Sequence, residues 1–490
     1  MKKSEIARSL LASVLIVMVL VGFGCAKKTD EGKVPITTSS EDAKKEYLQG
    51  RDLAERLLGQ NSIQHFENAV AKDSNFAMAY FQLAQVAPTT KAFFANMNKA
   101  KALTDKASEG ERLMILGFEA NMNGDPTKRG EYYEKLVTLF PQDERAHAVL
   151  GNHYYALQNY TKAVEHYGEA TKIDSTFAPA YNMLGYGNWF MGDFAAAEEA
   201  FKKYIELMPN DPNPYDSYAE LLMKLGRFDE SVAQYEKALA QDPHFFSAHR
   251  GIAADLMFKG KPDEAKAQLQ KEYDLARDDG ERRTALFEMT VLHVDGGKMD
   301  SALTLMDKQY EMAEKNNDVL QMAADLQTKG DILYEMGKYD DALAQYEKSA
   351  KMYEGSDLSQ VMKENVKLGR HFPVASIALK KKDFKKAASE SEEFLKGAEA
   401  KQNPNLIRQA HGLAGVIALE QKDYDKAIAE LQQANQLNPY TLYRISLAYM
   451  GKGDKAKAKE FCEKAAHSYT IPTLPYAFIR TKAENMLAKM

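Results

Sequence analysis

Ten histidines, two cysteines and 70 carboxylates are the material available for chemistry in this chain of 490 residues. Their spacing does not assemble it. His147 and His153 stand on different faces of any helix that holds them, and no His-Glu-x-x-His occurs, so the paired imidazoles of a zinc site are missing. Adjacent acids such as Glu198-Glu199 and Glu392-Glu393 point in different directions and read as solvated faces, not as acid/base pairs. The Gly-Lys pairs starting at Gly260, Gly297, Gly337 and Gly451 lack the glycine five positions earlier and the following hydroxyl of a phosphate loop. Gly185-Tyr186-Gly187 is a fragment of a dinucleotide fingerprint without a strand before it, and no Gly-x-Ser-x-Gly elbow exists. Two cysteines, Cys25 and Cys462, exclude a disulfide framework and a cysteine-based metal centre. The expectation is a protein that is not an enzyme and carries no cofactor and no metal.

The elements that would position any other function are helices. Ala, Lys, Glu and Leu dominate, prolines number 15, and no sustained Val/Ile/Thr alternation runs beyond the first forty residues. A net charge of −6 carries no basic patch of nucleic-acid type. Hydrophobic content of 45% against 27% charged residues is enough for most of the chain to fold.

A period of 34 residues organises these helices. Gly117, Gly151, Gly185, Ala219 and Ala253 keep that step, as do Tyr133, Tyr167, Phe201, Tyr235 and Leu269. So do Ala163, Ala197, Ser231 and Ala265, while Pro141, Ser175, Pro209 and Pro243 close each unit. Two amphipathic helices of about a dozen residues fit each unit. The small residue at the eighth position lets the first helix approach the second, and the aromatic at the twenty-fourth fills space between them. Gly192, Gly226 and Gly260 end first helices, and the prolines stop second ones. Gly50 and Ala84 extend the step upstream. Downstream the turn signals at Gly297, Gly337, Lys382, Lys422 and Gly453 are less regular, which longer helices or turns would explain. About twelve units are expected, regular over 43–279 and less regular over 280–471, with residues 472–490 as a capping helix.

Leu150, Gly151, Tyr154, Tyr160, Ala163, Tyr167 and Ala170 make one clear copy of a pattern that resembles the tetratricopeptide repeat. The resemblance implies an all-α fold, an α-solenoid of stacked antiparallel helix pairs in a right-handed superhelix. It also implies that first helices line a concave groove, exposing the second, fifth, ninth, twelfth and thirteenth positions of each unit. Those positions here include Phe118, Asn152, Tyr155, Tyr186, Trp189, Phe190, Met257 and Phe258, which is aromatic and methionine-rich binding material. Asn182, Asp216, Glu220 and Arg250 add polar groups that could hold a peptide. Chaperone-binding members read a C-terminal carboxylate with Lys and Asn at the fifth and ninth positions; Ala148 stands at the fifth position beside Asn152, so that clamp is not reproduced. Trp189, the only tryptophan, falls on the groove side in this register.

At the N-terminus Lys2, Lys3 and Arg8 precede the apolar run "LLASVLIVMVLVGFG", residues 10–24, and then Cys25. The run is shorter than the roughly 20 residues of a membrane-spanning helix. The arrangement resembles a bacterial lipoprotein signal, which makes Cys25 the candidate lipidation site with an uncleaved N-terminal membrane anchor as the alternative, although Gly22 and Phe23 depart from the usual aliphatic and small residues. Residues 26–42 read as a polar tether. The expected function is therefore a lipid-anchored, extracytoplasmic scaffold of the bacterial cell envelope that binds a protein or peptide partner, with no nucleic acid. The rival is a sensor subunit whose groove holds a small ligand or peptide and signals to a membrane partner.

Overall fold

The computed structural model describes residues 32–490; the signal segment with Cys25 and the start of the tether lie outside them. All regular structure among the described residues is helical. The regular stretch consists of antiparallel pairs: α1 (Glu41–Glu55) with α2 (Gly59–Lys72), α3 (Ala77–Gln85) with α4 (Thr90–Ala102), and α5 (Glu109–Met122) with α6 (Pro126–Leu139). It continues through α7 (Glu144–Ala156) and α8 (Tyr160–Ile173), α9 (Ala178–Met191) and α10 (Phe194–Leu207), α11 (Pro212–Lys224) and α12 (Phe228–Gln241), and α13 (Phe246–Phe258) and α14 (Pro262–Leu275). Each helix packs on its partner and on the next pair, which is an α-solenoid.

The periodic residues have distinct physical tasks. Gly192 ends α9 in the left-handed region at φ 84, where a side chain would be strained, and Asp193 then caps α10 by accepting from the Ala196 N–H. The eighth-position glycine is required because the twenty-fourth-position ring lies on it. A Cβ added at Gly151 would sit 2.5 Å from the Tyr167 ring, and one at Gly185 would sit 2.4 Å from Phe201.

The longer spacing of the second half comes from longer helices. α15 (Asp279–Asp295), α16 (Met299–Lys315), α17 (Val319–Glu335) and α18 (Tyr339–Gly355) each have 17 residues against 14 in α8 or α10. Three extra residues in each of two helices turn a period of 34 into one near 40. Next come α19 (Gln360–Gly369) and α20 (His371–Lys380), a single run broken at Arg370. Pro373 explains the break: its ring clashes with the carbonyl four residues back, at Gly369. The array ends with α21 (Phe384–Ala400), α22 (Pro404–Glu420), α23 (Tyr424–Gln433), α24 (Pro439–Lys452) and α25 (Lys455–Ala466).

The chain winds back onto itself. Arg56, at the end of α1, makes a bidentate pair with Asp211 at the start of α11, at 2.6 and 2.9 Å. Further on, Asn365 donates to the Asn123 carbonyl, Asn403 to that of Gly124 and Arg408 to that of Leu157. The last residues form α26 (Leu474–Ala477) and α27 (Arg480–Leu487), two short helices where a single capping helix is expected. α27 packs on α25, and α26 reaches inward to α15.

Candidate binding groove

The first helices of the first five pairs enclose a cavity of about 1180 Å³. Phe118 of α5, Asn152 of α7 and Asn182 of α9 line it, as their register implies. Phe118 packs edge-on against Phe81 at 5.3 Å and leaves part of its ring to the cavity. Asn152 is exposed; its side chain accepts from the Tyr167 hydroxyl at 2.8 Å and its carbonyl accepts from Arg129 at 2.9 Å. Arg129 reaches the cavity from α6 and pairs with no carboxylate in this arrangement, and burial lowers its pKa.

Part of the N-terminal segment itself forms a wall of the cavity. Residues 33–39, expected within a free tether, lie extended across the openings of three units. The Val34 N–H donates to Asp143 at 2.8 Å, the Thr37 N–H to Glu111 at 2.9 Å and the Ser39 N–H to Asp73 at 2.8 Å. Lys33 pairs with Glu144, and the Ser108 hydroxyl donates to the Pro35 carbonyl at 3.1 Å. Val34, Ile36 and Thr38 turn inward while Pro35, Thr37 and Ser39 stay exposed, the alternation of an extended strand. Burial raises the Asp73 carboxyl, but hydrogen bonds from Thr38, Ser39 and Asn75 outweigh it and bring the group down to about 2. The sequence signal for this docking is Val34-Pro35-Ile36, an apolar island in an otherwise polar stretch.

Four other predicted contacts are packing. Trp189, expected at the groove surface, is only 7% exposed. It stacks between Tyr186 at 5.8 Å and Phe190 at 5.5 Å and joins a core with Phe201, Leu221 and Leu222. The next unit's α11 covers the tryptophan, and one position of register cannot reveal that. Phe190 lies flat on Tyr160 at 5.0 Å, and Tyr155 meets both rings edge-on. Met257 is buried.

Phe258 is covered by a part of the chain that the register does not anticipate. Tyr469 meets it at 5.3 Å and Tyr476 at 6.2 Å, while Lys224 donates to the Ser468 carbonyl at 2.7 Å. Arg480 then closes a bidentate pair on Asp295 at 2.7 and 2.5 Å. The groove over α11–α15 is thus filled by residues 468–480. Their aromatic and apolar members, Tyr469, Ile471 and Tyr476, are the signal in the sequence, since an end cap alone would not need them.

The polar members of the predicted set cluster at the seam between these regions. The Tyr186 hydroxyl donates to Glu220 at 2.8 Å, and Arg250 contacts Glu288 at 3.5 Å. Asp216 is 6% exposed. Burial pushes the Asp216 and Glu220 carboxyls up, and the neighbouring charge of Glu220 pushes Asp216 further.

Comparison with family models agrees with this architecture. Family models for the tetratricopeptide repeat match residues 151–188, 191–256, 248–368, 409–441 and 440–466. These stretches together cover more than half of the chain. The small glutamine-rich tetratricopeptide repeat-containing protein 2 of Mycosarcoma maydis is 33% identical over 100 residues, 20% of this chain and 28% of that protein. The heat shock protein sti1 homolog of Schizosaccharomyces pombe is 25% identical over 36% of this chain and 29% of its own length. The chain spans less than a third of the curated relatives it matches. A crystal structure of MamA protein is similar over 33% of this chain and 89% of its own, with 25% identity and a TM-score of 0.28.

Proposed function

Because the chain is a tetratricopeptide-repeat protein, we propose that it is a non-enzymatic scaffold that holds an extended segment of a protein partner in the cavity enclosed by α1–α10. We further propose that Cys25 anchors it to a membrane on the extracytoplasmic side of a bacterial envelope. One observation supports the binding role: residues 33–36 line this cavity as part of an extended strand whose backbone N–H groups donate to Asp143 and Glu111 on the cavity wall and to Asp73 beyond it. Carboxylates aimed at backbone N–H groups read any extended chain, whatever its side chains. Cavity residues such as Phe118 and Asn152 then supply selectivity.

A photocrosslinking residue placed at Asn152 tests this in cells, with the same residue at Phe258 as comparison. A defined protein is captured from position 152 and not from 258, where the chain covers itself. Equal capture at both, or none at 152, removes the cavity reading. The anchor is tested separately, by envelope fractionation of the parent and Cys25→Ser. An equally membrane-bound variant without a lipid-modified N-terminus in the parent removes it.

A further inference from the structure

The open cavity ends near Asn182 on α9, and two helix pairs further on Pro472 of the C-terminal segment lines a small void together with Arg250 of α13 and Glu288 of α15. Between these limits lies a buried polar cluster around Asp216 and Glu220. Its chemistry is unbalanced in one direction. The Asn182 Oδ1 and Asp216 Oδ1 are buried acceptors with no donor. Tyr235 is fully buried, its hydroxyl has no partner, and its ring passes against Gly251, where an added Cβ would meet it at 2.1 Å. The charges of Glu220, Asp216 and Asp255 all act on that hydroxyl. Arg250 is the cation that faces both acids, and it is shared with Glu288 on α15; its Nε makes no hydrogen bond. Glu272 of α14 adds a further buried carboxyl behind Glu288, with neither oxygen bonded.

A native interior rarely leaves such groups unpaired, because each orphaned polar atom costs about 1–3 kcal/mol. The acceptors outnumber the donors, and the carboxylates outnumber the single guanidinium. The missing component is therefore a cation that brings several N–H donors. We propose that Asn182, Asp216, Glu220 and Tyr235 form a subsite for a positively charged side chain, the ammonium or guanidinium of a lysine or arginine on the bound segment. The inference rests on the reading of the cavity as a peptide site. Burial raises the Asp216 and Glu220 carboxyls, and an entering cation, by favouring their charged forms, draws them down again.

The test uses the full chain and two pairs of probes: n-butylammonium against n-butanol, and an alanine-based peptide with one lysine against its norleucine twin. Calorimetry in two buffers of different ionisation enthalpy reads affinity and proton release. Trp189 emission reads the site, because its ring stacks on Tyr186, whose hydroxyl is bonded to Glu220. The lysine peptide binds at least about tenfold more tightly than its twin and releases protons as it binds. Glu220→Gln and Asp216→Asn, which keep the side-chain shape, remove both the preference and the proton release. If Asp216→Asn does not fold, the half-buried Glu220→Gln decides alone. Equal binding of the twins, no binding of the lysine peptide, or a preference that survives Glu220→Gln overturns the subsite. Partner capture through Asn152 without any lysine preference keeps the groove and removes the subsite; a lysine preference without capture does the reverse.

Discussion

The concave face over α1–α10 and the concave face over α11–α15 are built from the same repeat in the same register, yet one is a cavity and the other is core. Asn152 and Ala254 hold the same repeat position, but the first is exposed and the second is buried. The helices themselves do not differ in kind. The difference lies in what returns to them. A short extended strand borders the first region through hydrogen bonds to carboxylates. An aromatic segment with a buried ion pair fills the second. A repeat register states which way a side chain points; it does not state whether a distant part of the chain lies on top of it.

The sharpest way to separate the regions is to release the C-terminal segment. Arg480 and Asp295 are both largely buried and paired through two hydrogen bonds, so Arg480→Ala leaves an uncompensated carboxylate. The expected loss is about 3–5 kcal/mol, read by urea unfolding, with hydrogen exchange rising in 468–487 and α13–α15. Protection over α1–α10 stays as it is. If both regions lose protection together, the contrast between them fails and the array melts as one unit.

Proton linkage should act on the two regions with opposite sign. Asp73 is lowered to about 2, so its support of the strand is complete above its unfolded value near 3.8 and is lost as pH falls through about 2. Glu272 is raised to about 8, chiefly by burial, and neither of its oxygens is bonded. A raised carboxyl stabilises below its unfolded value near 4.5, and that stability is lost as pH rises toward 8. Unfolding free energy should therefore fall by about 1–3 kcal/mol between pH 6 and 9, and Glu272→Gln should flatten that slope. A slope unchanged in Glu272→Gln would place the titration elsewhere.

The strand can be loosened without touching a charge. A Cβ at Gly110 would lie 2.7 Å from Val34 and 2.9 Å from Phe140. Alanine is itself favourable inside α5, so the clash falls on the strand. Gly110→Ala should cost the docked strand about 1–3 kcal/mol and raise protease cleavage within 33–40, with the helices intact. Unchanged cleavage would mean that Phe140 gives way and the strand stays docked.

How much of this was legible follows from the range of the interactions. The period of 34, the glycine under each aromatic and the glycine turns are set within one unit, and the sequence displays them directly. The family resemblance and the register together put Phe118, Asn152 and Asn182 on a groove, and these three residues line the cavity. The rest depends on contacts far apart in the chain: Arg56 with Asp211, Lys33 with Glu144, Tyr469 with Phe258. No local pattern encodes such pairs. Their traces are residues out of keeping with their surroundings, such as Val34-Pro35-Ile36 in a polar stretch and Tyr469 beyond the last regular helix.

Trp189 gives the smallest but cleanest test, because it is the only tryptophan and lies at the boundary between the two regions. Rings stacked on both sides and an exposure of 7% place it in an apolar setting. Its emission should be blue-shifted and weakly quenched by acrylamide in the free protein. A ligand confined to the cavity near Phe118 should leave it unchanged, whereas one that reaches Glu220 should shift it through Tyr186. Arg480→Ala should also leave it unchanged, since the C-terminal segment covers Phe258 and not Trp189. Strong quenching in the free protein would return Trp189 to the groove surface and would move the boundary between cavity and core one helix pair toward the C-terminus.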